Sequence, residues 1–185
     1  MFFKNQAEQD FRTEAIESPA MEAMIQKCAN IYRGTPYWVD EDGGIKTINF
    51  AKSVCSETAR LTTLAIGIQI DGSERATWLQ EQVDKTYSQI RHWVEYGCAY
   101  GTMFVKPNGE GFDMFTPLDV LLTDCDNQEV RGIIFKDQYA DGDKYYTRLE
   151  YHRFVDNVID GVKISPYYIS NRTYVSSSSD NIGNP

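Results

Sequence analysis

The order of hydrophobic patterns predicts an α+β fold, with N-terminal helices packed on a strand-rich, mostly antiparallel C-terminal half. Three observations carry this. Apolar residues recur at three- and four-residue steps between about Ser18 and Tyr96, which is the helical period. From about Gly101 onward they alternate, punctuated by turn signals such as Asn108-Gly109 and Asp141-Gly142. The change of period falls inside Ile90–Pro107, which reads as a helix end, a two-glycine corner and a short buried strand. Gly97 is expected to end the helix and Gly101 to permit the turn, so that valine at either would impair folding and assembly.

Taken in order, residues 5–17 place Ala7, Phe11 and Ala15 at four-residue spacing and predict a short helix within an N-terminal arm, 1–17. Ser18-Pro19 then pairs an N-cap serine with proline at the first helical position. Met21, Met24, Ile25, Cys28, Ile31 and Tyr32 form one apolar face, and Gly34 and Pro36 end that helix. Pro36 to Val39 looks extended. Asp40-Glu41-Asp42-Gly43-Gly44 reads as a solvated hairpin tip rather than a metal site.

A helix is expected from Thr47 to Ile66, with Ile48, Ala51, Cys55, Ala59, Thr62 and Ile66 on one face. The small residues Ala51, Cys55 and Ala59 predict close packing of another helix. Ile68–Asp71 alternates like a short strand. Ser73 caps a long helix to about Tyr96, striped by Leu79, Val83, Tyr87, Ile90, Val94 and Gly97. Strands follow at 101–106, 112–115, 130–139 and 144–154, with one or two more over 158–169. Leu118–Leu122 is a short apolar stretch and Asp124–Glu129 a polar turn. Residues 18–175 thus read as a single domain. Residues 176–185 read as a flexible linker or truncated end, which predicts that the chain is the first part of a longer one.

Composition narrows the function. Hydrophobic residues make up 42% of 185, a globular proportion. A net charge of -9 argues against tight, sequence-independent nucleic-acid binding, which needs clustered cations; it reads first as solubility, and it is also compatible with a wall that DNA slides past. The four cysteines show no paired spacing and read as reduced thiols in a cytosolic compartment. The N-terminus is acidic within ten residues and no apolar run approaches a membrane span, so neither a signal peptide nor membrane insertion is expected.

Motifs for chemistry fail on inspection. Asp124, Asp126 and Glu129 resemble the opening of a calcium loop, but Glu129 occupies the glycine position and Phe135 the twelfth. Gly97-x-x-x-Gly101 runs from helix to strand, opposite to a dinucleotide fingerprint, and no phosphate-loop lysine follows. His92 and His152 are the only histidines, His92 reads as a surface or satisfied residue, and no nucleophile elbow occurs. Asn171-Arg-Thr173 matches a glycosylation sequon without a signal peptide to use it. No catalytic, cofactor or metal residue is assigned, and the sequence points to an assembly role rather than an enzyme.

Three runs carry a resemblance. They are I-N-F-A-K-S-V-C-S-E-T-A-R-L (Ile48–Leu61), W-V-E-Y-G-C-A-Y-G-T-M-F-V-K-P (Trp93–Pro107) and F-T-P-L-D-V-L-L-T-D-C-D-N-Q-E-V-R-G-I-I-F (Phe115–Phe135). Their order over about residues 18–155 resembles the N-terminal, wing-type portion of tailed-bacteriophage portal proteins of the siphophage portal or minor capsid branch. The resemblance implies a virion protein assembled in the host cytoplasm as a ring of about twelve subunits. Double-stranded DNA would pass through the ring without sequence-specific contacts. Packaging terminase, head-completion and capsid or scaffold proteins are the implied partners. The channel and motor-binding parts of such proteins lie later in the family's chain and map to no residue here. A second reading is a stand-alone binding module whose tyrosines (Tyr139 to Tyr151, Tyr167 and Tyr168) face a polysaccharide or protein. A third is a nuclease or hydrolase using the acidic turns.

Overall fold

In the computed structural model, residues 2–39, 47–109, 111–127 and 129–176 are described. The elements are α1 (Phe2–Phe11), α2 (Pro19–Arg33), α3 (Phe50–Thr63), α4 (Glu74–Tyr100), β1 (Phe104–Pro107), β2 (Phe112–Phe115), a 3-10 turn (Pro117–Asp119), β3 (Val120–Asp126), β4 (Glu129–Asp141), β5 (Lys144–Phe154), β6 (Asn157–Ile159), β7 (Val162–Ile164) and β8 (Tyr167–Ser176). The fold is α+β, and every strand pairing among the described residues is antiparallel.

The chain divides into two compact units, residues 19–118 and residues 1–18 with 119–185. This departs from the expected arm at 1–17 and single domain over 18–175. The N-terminal segment is no free arm: Ala7 of α1 is fully buried against Leu121, Ile134, Leu149 and Tyr151 of the sheet, with Phe3, Phe11 and Ala15 packed around them. A ten-residue helix is marginal alone, and this burial stabilises it. The helix also begins and ends earlier than the 5–17 spacing suggested, because Arg12 turns the chain through a positive φ of 50°.

In the 19–118 unit, α2, α3 and α4 pack on one another, and β1 and β2 form a hairpin. α3 begins at Phe50 rather than Thr47, capped by Asn49: its side chain accepts from the Lys52 amide and donates to the Tyr32 carbonyl at 2.8 Å, joining the end of α2 to the start of α3. Ile48, expected on the packed face, therefore precedes the helix and is 90% exposed. Ser73 caps α4 as predicted, accepting from the Ala76 amide. Ile68–Asp71, expected as a short strand, pairs with no strand among the described residues. The Gln80 side chain serves it instead, accepting from the Ile70 amide (2.8 Å) and donating to the Ile68 carbonyl (3.2 Å).

In the other unit, β3-β4-β5-β8 form a four-stranded sheet. The stretch read as a polar turn after Leu122 is mostly strand, since β3 runs on to Asp126 and pairs there with Glu129. β8 extends beyond the expected end at residue 169 because it pairs with β5 along its whole length. β6 and β7 form a small hairpin between those two strands. The acidic tip at 40–44 and the linker residues from 177 lie outside the described residues.

Candidate functional site

The two glycines of the joint have different roles. Gly97 does not end the helix. It lies inside α4, and a Cβ placed there meets no atom within 4 Å. Gly101 is the cap: its φ of 80° is left-handed, and its amide donates to the Gly97 carbonyl at 2.9 Å. The corner is thus one residue carrying the backbone constraint, with the helix continuing to Tyr100.

The small residues of α3 differ in burial. Ala59 is fully buried and Ala51 and Cys55 are partly buried. Burial raises the Cys55 thiol pKa first, and the neighbouring Cys98 and Glu95 of α4 raise it further, so these groups lie close together. Beside them is a pair that sequence reasoning missed. Tyr32 of α2 donates to the Glu95 carboxylate of α4 at 2.6 Å, both residues being buried. Tyr96 and Tyr100 pack on the Tyr32 ring. Burial, then the Glu95 hydrogen bond, push the Tyr32 phenol well above its ordinary range. Glu95 falls two residues after Trp93 on a helix expected to bury only apolar groups, so nothing in the local pattern marks it.

The opposite face of α3 runs against the usual partition. Phe50, Val54 and Leu61 lie within one narrow arc and are 72%, 47% and 57% exposed, with Leu64 at the helix end 68% exposed. Glu57, in the same arc, is held in a two-pronged pair with Arg60 (2.8 and 2.6 Å), leaving the arc without net charge. Small side chains therefore face in and large ones face out. On α2, Met21 and Met24 of the expected packed stripe are also exposed, while Ala29 and Tyr32 are buried.

In the sheet unit, Asp124, Cys125, Asp126, Arg131, Tyr151, Arg153 and residues 154–156 line an open polar groove of about 560 Å³. The acidic residues singled out in the sequence do not converge on a shared centre. Asp126 pairs across the hairpin with Glu129 in the β3–β4 register, and Asp124 lies 3.7 Å from Arg131. Arg131 also bonds Asp156, which in turn accepts from Ser165 (2.6 Å) and Lys163 (2.9 Å). Those donors, Ser165 foremost, hold the Asp156 carboxyl far below the usual carboxylate range. This network closes the base of the β6–β7 hairpin, together with the Val155 amide bond to the Pro166 carbonyl (3.0 Å).

His92 is exposed on α4. His152 is buried on β5, with Nε2 2.5 Å from Glu150 Oε1 and its other ring nitrogen against the Tyr167 hydroxyl. Carboxylate, imidazole and phenol in a row resemble a proton relay. The chain of contacts links β5 to β8, and burial, then the Glu150 charge, raise the Tyr167 phenol pKa. The tyrosines assigned to a binding face do partly gather: Tyr139 and Tyr146 stack at 5.0 Å and 8°. Tyr167 and Tyr168 lie on β8, and their neighbouring positions point to opposite sides of the sheet.

Among the described residues, no helix is long and apolar enough to cross a membrane. No family model matches the chain, and neither does any curated protein or solved structure.

Proposed function

We propose that the chain is a structural assembly subunit, the wing-type part of a tailed-phage portal ring through which double-stranded DNA enters and leaves the capsid. One observation carries the assembly part of this reading: the outward arc of α3, where Phe50, Val54 and Leu61 face away from the protein's own helices. Contiguous exposed apolar surface that carries no net charge is what a neighbouring protein surface covers. The portal assignment itself rests on the order of the three sequence runs, and the net charge of -9 suits a body to which DNA does not adhere. Its partners are then further copies in a ring of about twelve, DNA without sequence preference, terminase, head-completion and capsid or scaffold proteins. Its location is the virion, after assembly in the host cytoplasm.

Negative-stain electron microscopy of the purified gene product under assembly conditions tests this. Rings with a central hole support it, and a monodisperse monomer overturns it. The stacked Tyr139–Tyr146 pair favours a second reading, an aromatic platform for a polysaccharide or protein. Saturable glycan binding by the monomer, lost in Tyr139→Ala, would favour that reading over the ring.

A further inference from the structure

The two edges of the four-stranded sheet are treated differently. β3 is guarded on its outer side. The Ile16 amide donates to the Leu122 carbonyl at 2.9 Å, and the Leu122 amide donates to the Glu17 carboxylate at 2.5 Å. Register shifts at Asp124 further break the line of β3. β8 is less protected: no register shift interrupts it, and the side-chain bond made to its backbone is that of Arg172, which dimerisation would have to displace. It pairs with β5 in unbroken register from Tyr167 to Ser176, and among the described residues no strand pairs with its other side. It contains no proline or glycine and a single charge, Arg172, whose guanidinium donates to the Asn171 carbonyl of its own strand (3.3 Å). Tyr167, Tyr168, Ile169 and Val175 are 51%, 46%, 54% and 57% exposed. A long edge in unbroken register with a single charge is a template for another strand, and folded proteins normally block such edges.

We propose that β8 pairs antiparallel with β8 of a second copy, across a two-fold axis normal to the sheet and passing through Asn171. Such an axis keeps each sheet face continuous, so odd-numbered residues must face odd and even must face even. With Asn171 on the axis, Tyr167 meets Val175, Ile169 meets Thr173, Tyr168 meets Tyr174, and Arg172 meets Ser170. These are aromatic, β-branched and polar pairs of the kind that stabilise sheets. Placing the axis on Arg172 would set two guanidinium groups against each other. Placing it on Ser170 would leave Tyr174 to Ser176 unpaired. Charge and pairing therefore select one register, and the strand is complementary to itself. The contact is isologous, unlike the head-to-tail contacts that close a ring, so it stands independently of the portal reading.

Cysteine crosslinking tests the register. In a chain with Cys98→Ser and Cys125→Ser, Asn171→Cys places two thiols directly opposite each other, with Cα atoms about 4.5–5.5 Å apart, within disulfide reach. Thr173→Cys places them four residues apart along the strands, about 13 Å, beyond reach. Air oxidation should give a disulfide-linked dimer for Asn171→Cys and not for Thr173→Cys, read on non-reducing gels. Light scattering of the unaltered protein should show a concentration-dependent dimer. The double variant Ile169→Lys with Thr173→Lys sets lysines against each other and should be monomeric with an unchanged far-UV spectrum. Equal crosslinking of the two cysteine variants, crosslinking of neither, or a monomer at every concentration would overturn the proposal.

Discussion

Replacing Gly132 by alanine should destabilise the sheet more than its small size suggests. Gly132 sits on β4 opposite Asp124, where β3 shifts register. A Cβ there would stand 2.3 Å from Thr123 Oγ1 and 3.2 Å from both Cβ and the amide nitrogen of Asp124. The first distance is far inside any tolerable contact, so the threonine must move. Its hydroxyl donates to the Tyr151 hydroxyl at 3.2 Å, and Tyr151 belongs to the core under α1. Losing that bond costs about 1 kcal/mol, and crowding the backbone behind it adds about 1–3 kcal/mol. The stiffer unfolded chain returns about 0.4–1 kcal/mol. The net expectation is a loss of about 1–3 kcal/mol. All three tryptophans, Trp38, Trp78 and Trp93, lie in the 19–118 unit, so tryptophan fluorescence would not report the change. Native-state hydrogen exchange at the β4 amides, with urea titration by tyrosine near-UV dichroism, reads it directly. Thr123→Ala removes the colliding oxygen, so Thr123→Ala with Gly132→Ala should be more stable than the sum of the single changes predicts. Unchanged β4 protection in Gly132→Ala, or strict additivity in the double variant, would refute the close-contact argument.

Three further outcomes are expected. Gly97→Ala should stabilise the helical unit by up to about 1 kcal/mol, since it adds helix propensity in open space. Gly101→Ala should cost about 1 kcal/mol, because its φ of 80° is left-handed; fluorescence-detected melts separate the two. Tyr32→Phe should cost about 1–3 kcal/mol by leaving the Glu95 carboxylate without its phenol donor. It should also lessen alkaline unfolding: with its pKa raised in the fold, Tyr32 stabilises fully below the ordinary phenol value and loses this as pH rises above it, measurable by urea titration across pH. Asp156 has the opposite sign: its lowered pKa gives stability above the ordinary carboxylate range that disappears as pH falls below it. Protection of the Val155 amide should fall with acidification in the native protein but stay flat, and lower throughout, in Asp156→Asn.

Local pattern was a good guide where one element decides the outcome. Ser73 caps α4 because a serine hydroxyl can reach the amide three residues on, whatever the surroundings. Alternation marked β5 with its observed ends because Asp141-Gly142 and the run beyond need no distant partner to be recognised. Ala51, Cys55 and Ala59 share one side of α3 because four-residue spacing does so on any helix, and of the three Ala59 is buried. The same reasoning misplaced Gly97, since both glycines fit a cap and only the backbone of α4 determines which one turns left-handed. It could not find Glu95, whose partner is 63 residues away, nor Gly132, whose constraint is a bulge on another strand.

The sequence by itself determined the fold class, most element positions and the Ser73 cap, because these follow from period, propensity and bonds within a few residues. Tertiary structure alone decided that the first residues belong to the sheet, that α3 turns its large side chains outward, and that one sheet edge is guarded while β8 is open. Such outcomes depend on which surfaces meet across long stretches of chain. A hydrophobic pattern states that a face must be covered, and only the packing of distant segments states what covers it.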